Sequence, residues 1–287
     1  MIYICADDYG VAKSASAHIL ECVEHGALNK VSVFPNSNIR YEKESENVSL
    51  SLHINLVEGQ SMAPPEEVSM LVTDNGYFKY SFIGLFLLSV SGKRKEFENQ
   101  LYNEIKAQLK FWKSCIAPDE PVLIDSHQHT HMIPLIFKVL MHVINDEEIK
   151  VRYLRIPAEP VMPYLKTPSL YHTYKPVNII KQWLLKLFEL INRDEYKRSG
   201  IPTAYFMGIL FSGMMNKERV EKVLPHYYKL SEKHNMDVEI LFHPGYIEAE
   251  EKLLDARKKG FERFYFSKGR KIEFDTVMNY NKKERRV

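Results

Sequence analysis

Apolar residues along the chain alternate between two spacings, one typical of strands and one typical of helices. Short apolar runs at Tyr3–Ala6 and Val31–Phe34 predict buried strands, and Val48–Ile54 alternates apolar and polar residues. From Phe97 to Trp112 apolar residues recur at helical spacing, and Asn216 is placed to cap a further helix. Other predicted strands lie at about residues 122–124, 151–156, 204–210 and 238–242, and other predicted helices at about 134–144 and 177–191.

Strands that alternate with helices over the whole length predict a parallel α/β fold. Seven or so such units in 287 residues favour an incomplete or distorted (β/α) barrel, TIM-like and a single domain, over an open doubly wound sheet. No glycine-rich phosphate loop follows a strand, which argues against a nucleotide-binding fold. We expect the barrel domain to cover residues 1–275 and a basic tail to cover 276–287.

Charge and composition indicate which kinds of binding partner to expect. The formal net charge of +2 gives no reason to expect nucleic acid or an anionic membrane. The longest apolar run, Phe82–Val90, is far shorter than the ~20 residues that span a bilayer, and the chain does not open like a secretory leader. Three scattered cysteines fit a reducing compartment. We therefore expect a cytoplasmic protein without nucleic-acid or membrane partners. A homodimer paired through helices is one option for its assembly.

Acidic and imidazole side chains gather where the predicted strands end. Asp7 and Asp8 end the first strand, and His53 ends the third. Arg155 and His243 follow later strands. Because side chains at the carboxyl ends of barrel strands converge on one mouth, we expect these groups to meet there.

The histidine-rich run after the fourth strand is the strongest sign of a metal. Asp125, His127, His129 and His131 alternate, so an extended backbone would aim all four in one direction. A histidine-rich surface strand is the alternative, but three imidazoles in five residues beside an acid favour metal binding. His127 lies closest to the strand end and is the expected direct ligand. His129 and His131 would orient a ligand or touch substrate.

The adjacent carboxylates Asp7 and Asp8 are predicted to have different roles. Consecutive side chains on an extended segment point apart, so one carboxylate would bind the metal and the other would take a proton from water. The alternative is a turn or helix cap. Arg155 would hold the carboxylate of Asp7 and keep it ionised, or else pair with Glu159 in a loop.

Two further histidines complete the candidates. His53 alone is a weak signal, since a lone histidine in a strand is usually structural. His243 is stronger, because a His-Pro-Gly turn directly after an apolar strand fixes the imidazole at the barrel mouth.

Four ordered motifs carry a resemblance to a known family. They are Ala6-Asp7-Asp8-Tyr9-Gly10, Leu52-His53-Ile54-Asn55-Leu56 with Glu58-Gly59, the run from Asp125 to His131, and His243-Pro244-Gly245. With them the sequence resembles the YdjC-like carbohydrate deacetylases, the family that includes chito-oligosaccharide deacetylase. Asn55 stands where a threonine is more usual, and the stretch from Phe34 to Val48 is short for a helical crossover.

The resemblance implies one divalent metal ion, Mg²⁺ or Zn²⁺, bound by Asp8, His53 and His127. It also implies Asp7 as the base and His243 as the acid, with an N-acetylated sugar as substrate. Groups expected to touch substrate or to orient the ligands are Tyr9, Asp125, His129, His131 and Glu159. The rival hypotheses are another barrel metal hydrolase, an amidohydrolase or a phosphoesterase, and a catalytically inactive, metal-dependent sugar-binding protein.

Overall fold

One parallel β-sheet organises the fold. The computed structural model describes residues 1–41, 47–248, 251–255, 257 and 259–280. Within these residues the sheet has 7 strands in the order β5-β4-β3-β2-β1-β7-β6, and every neighbouring pair is parallel. The strands are β1 (Ile2–Tyr9), β2 (Lys30–Val33), β3 (Ser49–Ile54), β4 (Val122–Ser126), β5 (Val151–Leu154), β6 (Ala204–Met207) and β7 (Asp237–Phe242).

Helices connect and cover the strands. They are α1 (Lys13–Glu24), α2 (Phe82–Ser89), α3 (Arg94–Cys115), α4 (Pro134–Asp146), α5 (Val161–Leu165), α6 (Pro176–Ser199), α7 (Lys217–His234), α8 (Lys259–Tyr265) and α9 (Lys268–Met278). In the described part of the chain, none of them combines the length and apolar character needed to cross a lipid bilayer.

The sheet curls into a half-barrel that does not close. Its edge strands are β5 and β6, which do not pair with each other, although the Leu154 N–H donates to the Pro202 carbonyl at 3.1 Å. Side chains from opposite parts of the sheet meet inside the curve, as Lys30 of β2 and Glu239 of β7 do at 2.9 Å. The prediction of an incomplete α/β barrel is confirmed.

The two faces of the sheet differ in polarity because side chains alternate along each strand. The outer face is apolar, and residues such as Leu52 and Ile124 are fully buried there with the helices. The inner face carries Lys30, Asp125 and Glu239, each 0% exposed. The interior of the half-barrel therefore holds an ionic cluster beside a small apolar cluster of Tyr3, Leu123, Tyr153 and Ala204, while the core beneath the helices is hydrophobic.

The predicted strands and main helices are confirmed, as is the short connection between β2 and β3, whereas helices α2, α5, α8 and α9 were not predicted. No helix occurs between β2 and β3 in the described residues, 34–41 and 47–48, as the short spacing suggested. The apolar run at residue 82, placed in an irregular region, forms α2. Its residues are apolar on every side, so no helical periodicity marked it. Helix α9 continues to Met278, past the expected boundary at 275, and residues 281–287 lie outside the described residues.

Candidate metal centre

A bulge at the end of β1 brings two consecutive carboxylates to the same mouth. The pairing of β1 with β2 shifts register between Ala6 and Tyr9, and Asp8 has a φ of +69°. One extra residue in a strand bends it and re-aims the side chains that follow. Asp7 and Asp8 are both 2% exposed. Consecutive side chains of an extended strand would point to opposite faces. The left-handed conformation of Asp8 changes this, so both carboxylates lie at the mouth.

Asp8, His53 and His127 come together at this mouth, from β1, β3 and the end of β4. One ligand atom from each lies within 4.8 Å of the others, and all three side chains are buried. His127 Nδ1 lies 3.1 Å from Asp8 Oδ1, and His53 Nε2 lies 3.6 Å from the same oxygen. His53 Nε2 is buried and has no hydrogen-bond partner among the described residues.

Each imidazole of this trio has a carboxylate on its other nitrogen. His53 Nδ1 lies 2.6 Å from Asp125 Oδ1, and His127 Nε2 lies 2.8 Å from Glu58 Oε2. Histidines that bind metals are usually oriented in this way. The carboxylate on one ring nitrogen fixes the tautomer and makes the other nitrogen a stronger ligand for the metal. The donor set therefore fits a divalent cation.

The buried charges around this trio also favour binding of a cation. The acids outnumber the lysine and arginine side chains that contact them: the acids are Asp7, Asp8, Glu58, Asp125 and Glu239, and the bases are Lys30, Arg155 and Arg270. Burial opposes a charged imidazole, yet the carboxylates of Asp7 and Asp125 raise the pKa of His53 to about 10. Burial would raise the pKa of Asp8, but Arg270 and His127 hold it well below its usual range. Such a site attracts positive charge.

Arg155 lies at the centre of the ionic interior. Its guanidinium donates to both oxygens of Asp7, at 2.7 and 2.9 Å, and to Glu239 Oε1 at 2.7 Å. Although burial would raise the pKa of Asp7, Arg155 lowers it below the usual range. The expected contact between Arg155 and Asp7 is present, whereas Glu159 bonds to other groups.

The histidine run does not continue as an extended strand, so the prediction that four side chains point one way is wrong. After Ser126 the chain turns through Gln128 and His129, with φ of +54° and +59°. His127 stays at the mouth with Asp8. His131 turns away, and its Nε2 lies 2.8 Å from the Arg155 carbonyl while Nδ1 lies 2.5 Å from Ser126 Oγ.

The remaining members of the run occupy different environments. The ring of His129 packs edge-on against Phe206, with centroids 5.7 Å apart. Burial lowers the pKa of His131 to about 4, so its imidazole is neutral and structural. Asp125 lies beneath the mouth and accepts hydrogen bonds from Ser32 and Ser51 at 2.6 and 2.7 Å.

His243 lies at the rim, after β7. Its side chain is 13% exposed, and Nδ1 lies 3.6 Å from Glu273 Oε2 of α9. The same carboxylate accepts the backbone N–H of His243 at 2.5 Å. A Cβ added at Gly245 would lie 2.8 Å from the Ala15 carbonyl oxygen, so only glycine allows this turn to pack against α1.

Glu159 and Tyr9, both expected near substrate, make hydrogen bonds within the protein. Glu159 accepts the backbone N–H groups of residues 208–210 at 2.6 to 3.0 Å and the hydroxyl of Tyr164. The hydroxyl of Tyr9 donates to the Arg40 carbonyl at 3.2 Å.

Sequence reasoning assigned no role to four residues that the fold brings to the mouth. Glu58 contacts His127 and the hydroxyl of Tyr265, Arg270 pairs with Asp8, and Glu273 contacts His243. Glu58 belongs to one of the four sequence motifs, so its position could have been recognised. Arg270, Tyr265 and Glu273 lie beyond the last motif and carried none.

Comparison with known proteins places this site in a family. The model of the YdjC-like protein family matches residues 1–284. The chain belongs to the YdjC-like family. A solved structure, that of a candidate cellobiose-phosphate cleavage protein from Enterococcus faecalis V583, has the same fold. It has a TM-score of 0.64 and 18% sequence identity, and the match covers 99% of this chain and 92% of that one.

Curated relatives are more similar in sequence. The carbohydrate deacetylase of Homo sapiens is 25% identical over 263 residues, 85% of this chain and 75% of its own. The carbohydrate deacetylase of Danio rerio is 26% identical over 163 residues, 55% of this chain and 50% of its own. The chitooligosaccharide deacetylase of Proteus mirabilis is 24% identical over 166 residues, 55% of this chain and 61% of its own. The match thus spans between half and three quarters of the lengths of these relatives.

Proposed function

We propose that this protein is a metal-dependent hydrolase that removes acetyl groups from N-acetylated sugars. The observation that carries the proposal is the buried trio Asp8, His53 and His127, with ligand atoms within 4.8 Å of one another. Asp7, which accepts hydrogen bonds from Arg155, directly precedes Asp8 in the chain. The names of the curated relatives give the substrate class.

One divalent cation would be held by Asp8, His53 and His127. When bound, it would lower the pKa of a water ligand and polarise the acetamide carbonyl. Two imidazole donors favour Zn²⁺ over Mg²⁺, since Mg²⁺ prefers oxygen ligands. Three protein ligands leave room for water and substrate, as a catalytic site requires.

Asp7 serves as the base. Its carboxylate is ionised at neutral pH because Arg155 lowers its pKa, so it can accept a proton from the attacking water. The two hydrogen bonds from Arg155 also fix the direction of the carboxylate. Arg155 is therefore a positioning residue.

His243 serves as the acid. As the carbon–nitrogen bond of the acetamide breaks, the imidazole donates a proton to the departing sugar amine. The carboxylate of Glu273, 3.6 Å from Nδ1, orients the ring. Acetate and the free amino sugar are the products.

Acetate release from a panel of N-acetylated mono- and oligosaccharides tests this function. We expect release that a chelator abolishes and that added Zn²⁺ restores. An O-acetylated sugar serves as the control for amide selectivity. A panel in which no member yields acetate with metal present would favour the sugar-binding alternative, and release of phosphate from a sugar phosphate instead would favour a phosphoesterase.

Location and assembly are further parts of the proposal. Cys5, Cys22 and Cys115 are all free thiols, which supports a reducing compartment such as the cytoplasm. A homodimer stays a prediction.

A further inference from the structure

Two helices on one side of the half-barrel expose large apolar side chains to solvent. On α6 the side chains of Ile180 and Trp183 are 68% and 63% exposed. On α2, Ile83 is 68% exposed. We call the whole set the α2–α6 face: Ile83, Leu87, Val90, Ile180, Trp183, Leu187, Leu190 and Ile191. Contiguous exposed apolar surface of this kind marks an interaction site.

The two helices pack together, so their apolar side chains belong to a common surface. The rings of Phe82 and Phe86 of α2 pack against the buried Phe188 of α6, with centroids 6.3 and 5.5 Å from its own. At 100° per residue, the exposed residues of α6 form one stripe opposite its buried residues. Lys186 falls at one edge of that stripe, where it also pairs with Glu189 at 3.1 Å.

Basic residues outnumber acids along the segments that carry the face, although Asp194 follows its last residue on α6 and Glu96 follows Lys95. No aspartate or glutamate occurs between Glu159 and Glu189, a segment that contains Lys166, Lys175, Lys181 and Lys186. None occurs between Asp74 and Glu96 either, and the exposed residues Lys79, Lys93, Arg94 and Lys95 lie in that second segment. The net charge of +2 averages this local excess away over the whole chain.

We propose that the α2–α6 face binds the surface of an anionic lipid bilayer. An apolar stripe with an aromatic residue and flanking lysines is the pattern of helices that lie in the headgroup region. Lysines on the rim pair with anionic lipids, while their stems cover apolar surface. A second copy of this chain fits less well, because a twofold contact through the same face would oppose its lysines. This replaces the expectation of no membrane partner, which rested on overall charge and the lack of a spanning segment.

The first turns of α6 lie at the carboxyl edge of the sheet, the edge that carries the mouth of the half-barrel, which extends the proposal to the substrate. Asn178 and Gln182, in the first turns of α6, donate to the Leu210 and Glu159 carbonyls at 3.1 and 2.7 Å, and both acceptors follow the carboxyl ends of strands. A protein bound through this face holds its mouth at the level of lipid headgroups. We therefore infer that it acts on N-acetylated sugars attached to membrane lipids, an inference that rests on the proposed function.

Tryptophan fluorescence tests the lipid contact without any catalysis. The chain has two tryptophans, and Trp112 is fully buried, so a change on adding vesicles reports Trp183. With vesicles of phosphatidylglycerol and phosphatidylcholine in equal amounts, we expect a shift to shorter wavelength and co-sedimentation. Vesicles of phosphatidylcholine alone or added salt should weaken both. Trp183→Phe should co-sediment but lose the shift.

Variants separate this inference from the proposed function. Ile180→Glu with Leu187→Glu should weaken vesicle binding at least about tenfold, through lost apolar burial and added negative charge. It should slow acetate release from an N-acetylglucosaminyl lipid in vesicles and leave release from a soluble sugar unchanged. Lys229→Glu, an exposed charge reversal on α7, is the control and should keep vesicle binding.

The outcomes are distinct. Wild-type protein that stays free of anionic vesicles, or that forms a dimer broken by the double variant without binding vesicles, overturns the lipid contact. Vesicle binding with equal acetate release from lipid-borne sugar in wild type and double variant overturns the substrate inference. Vesicle binding without acetate from any substrate supports the lipid contact and contradicts the proposed function alone.

Discussion

Asp7 and Asp8 have different contacts because a single bulge changes where their side chains point. Asp7 receives two hydrogen bonds from Arg155, and Asp8 faces His53 and His127. The two carboxylates are chemically identical and adjacent, so replacing each one separates metal binding from proton transfer.

We predict that Asp8→Asn loses both bound metal and acetate release. Asp7→Asn should keep the metal and lose about 10²–10⁴-fold in turnover, the usual loss of a general base. Calorimetric titration with Zn²⁺ and an acetate assay on the same preparations measure the two effects. Normal turnover in Asp7→Asn would rule out Asp7 as the base.

At the residue scale the sequence predicted which residues gather at the mouth better than it predicted where their side chains point. His53, His127 and Asp8 were recognised because they follow apolar strands within recognisable motifs. The left-handed residues Gln128 and His129, which send His131 away from the mouth, leave no comparable signal. Arg270 lies 262 positions from its partner Asp8, so no local pattern connects them.

At the scale of elements, buried acids hold loops at the mouth through backbone N–H groups. Glu104 of α3 accepts the N–H groups of Met62 and Ala63, and its neighbour Gln108 bonds both ways with the backbone of Asn55. These contacts hold the loop that carries Glu58. Periodicity located α3, but it did not show that polar residues on its buried face serve the site.

Glu159 offers a test of such support. Glu159→Leu would leave the N–H groups of residues 208–210 without their acceptor inside the protein, and buried donors without partners are costly. We predict a loss of about 2–4 kcal/mol in the free energy of unfolding, measured with urea. Glu159→Gln keeps one oxygen acceptor and should lose less. Equal stability of wild type and Glu159→Leu would contradict this role.

At the scale of the whole molecule, the ionic interior is the least expected feature. Glu239 contacts Lys30, Arg155 and Tyr153 inside the half-barrel. The strand–helix rhythm predicted the barrel and the outer, apolar face of its sheet. It could not predict which inner charges pair, since these contacts join strands far apart in the chain.

Glu239 also makes stability depend on pH. Burial would raise its pKa, but Arg155 and Lys30 lower it from 4.5 to about 2. The ionised carboxylate therefore stabilises the fold above about pH 4.5, and this contribution is lost as the pH falls towards 2. We predict that Glu239→Gln costs about 3–5 kcal/mol at neutral pH, because Arg155 loses a buried partner.

Urea unfolding of both proteins over this pH range is the check. The difference in unfolding free energy between wild type and Glu239→Gln should shrink as the pH falls from about 5 to about 3. A difference that stays constant would show that the charge of Glu239 does not contribute.

The central claim is that Asp8, His53 and His127 bind a single cation. Anomalous diffraction from crystals grown with Zn²⁺, recorded on both sides of the zinc absorption edge, tests it most directly. We predict one strong peak within bonding distance of all three side chains. A zinc peak elsewhere, or none between these three residues at saturating Zn²⁺, would contradict the proposed metal centre.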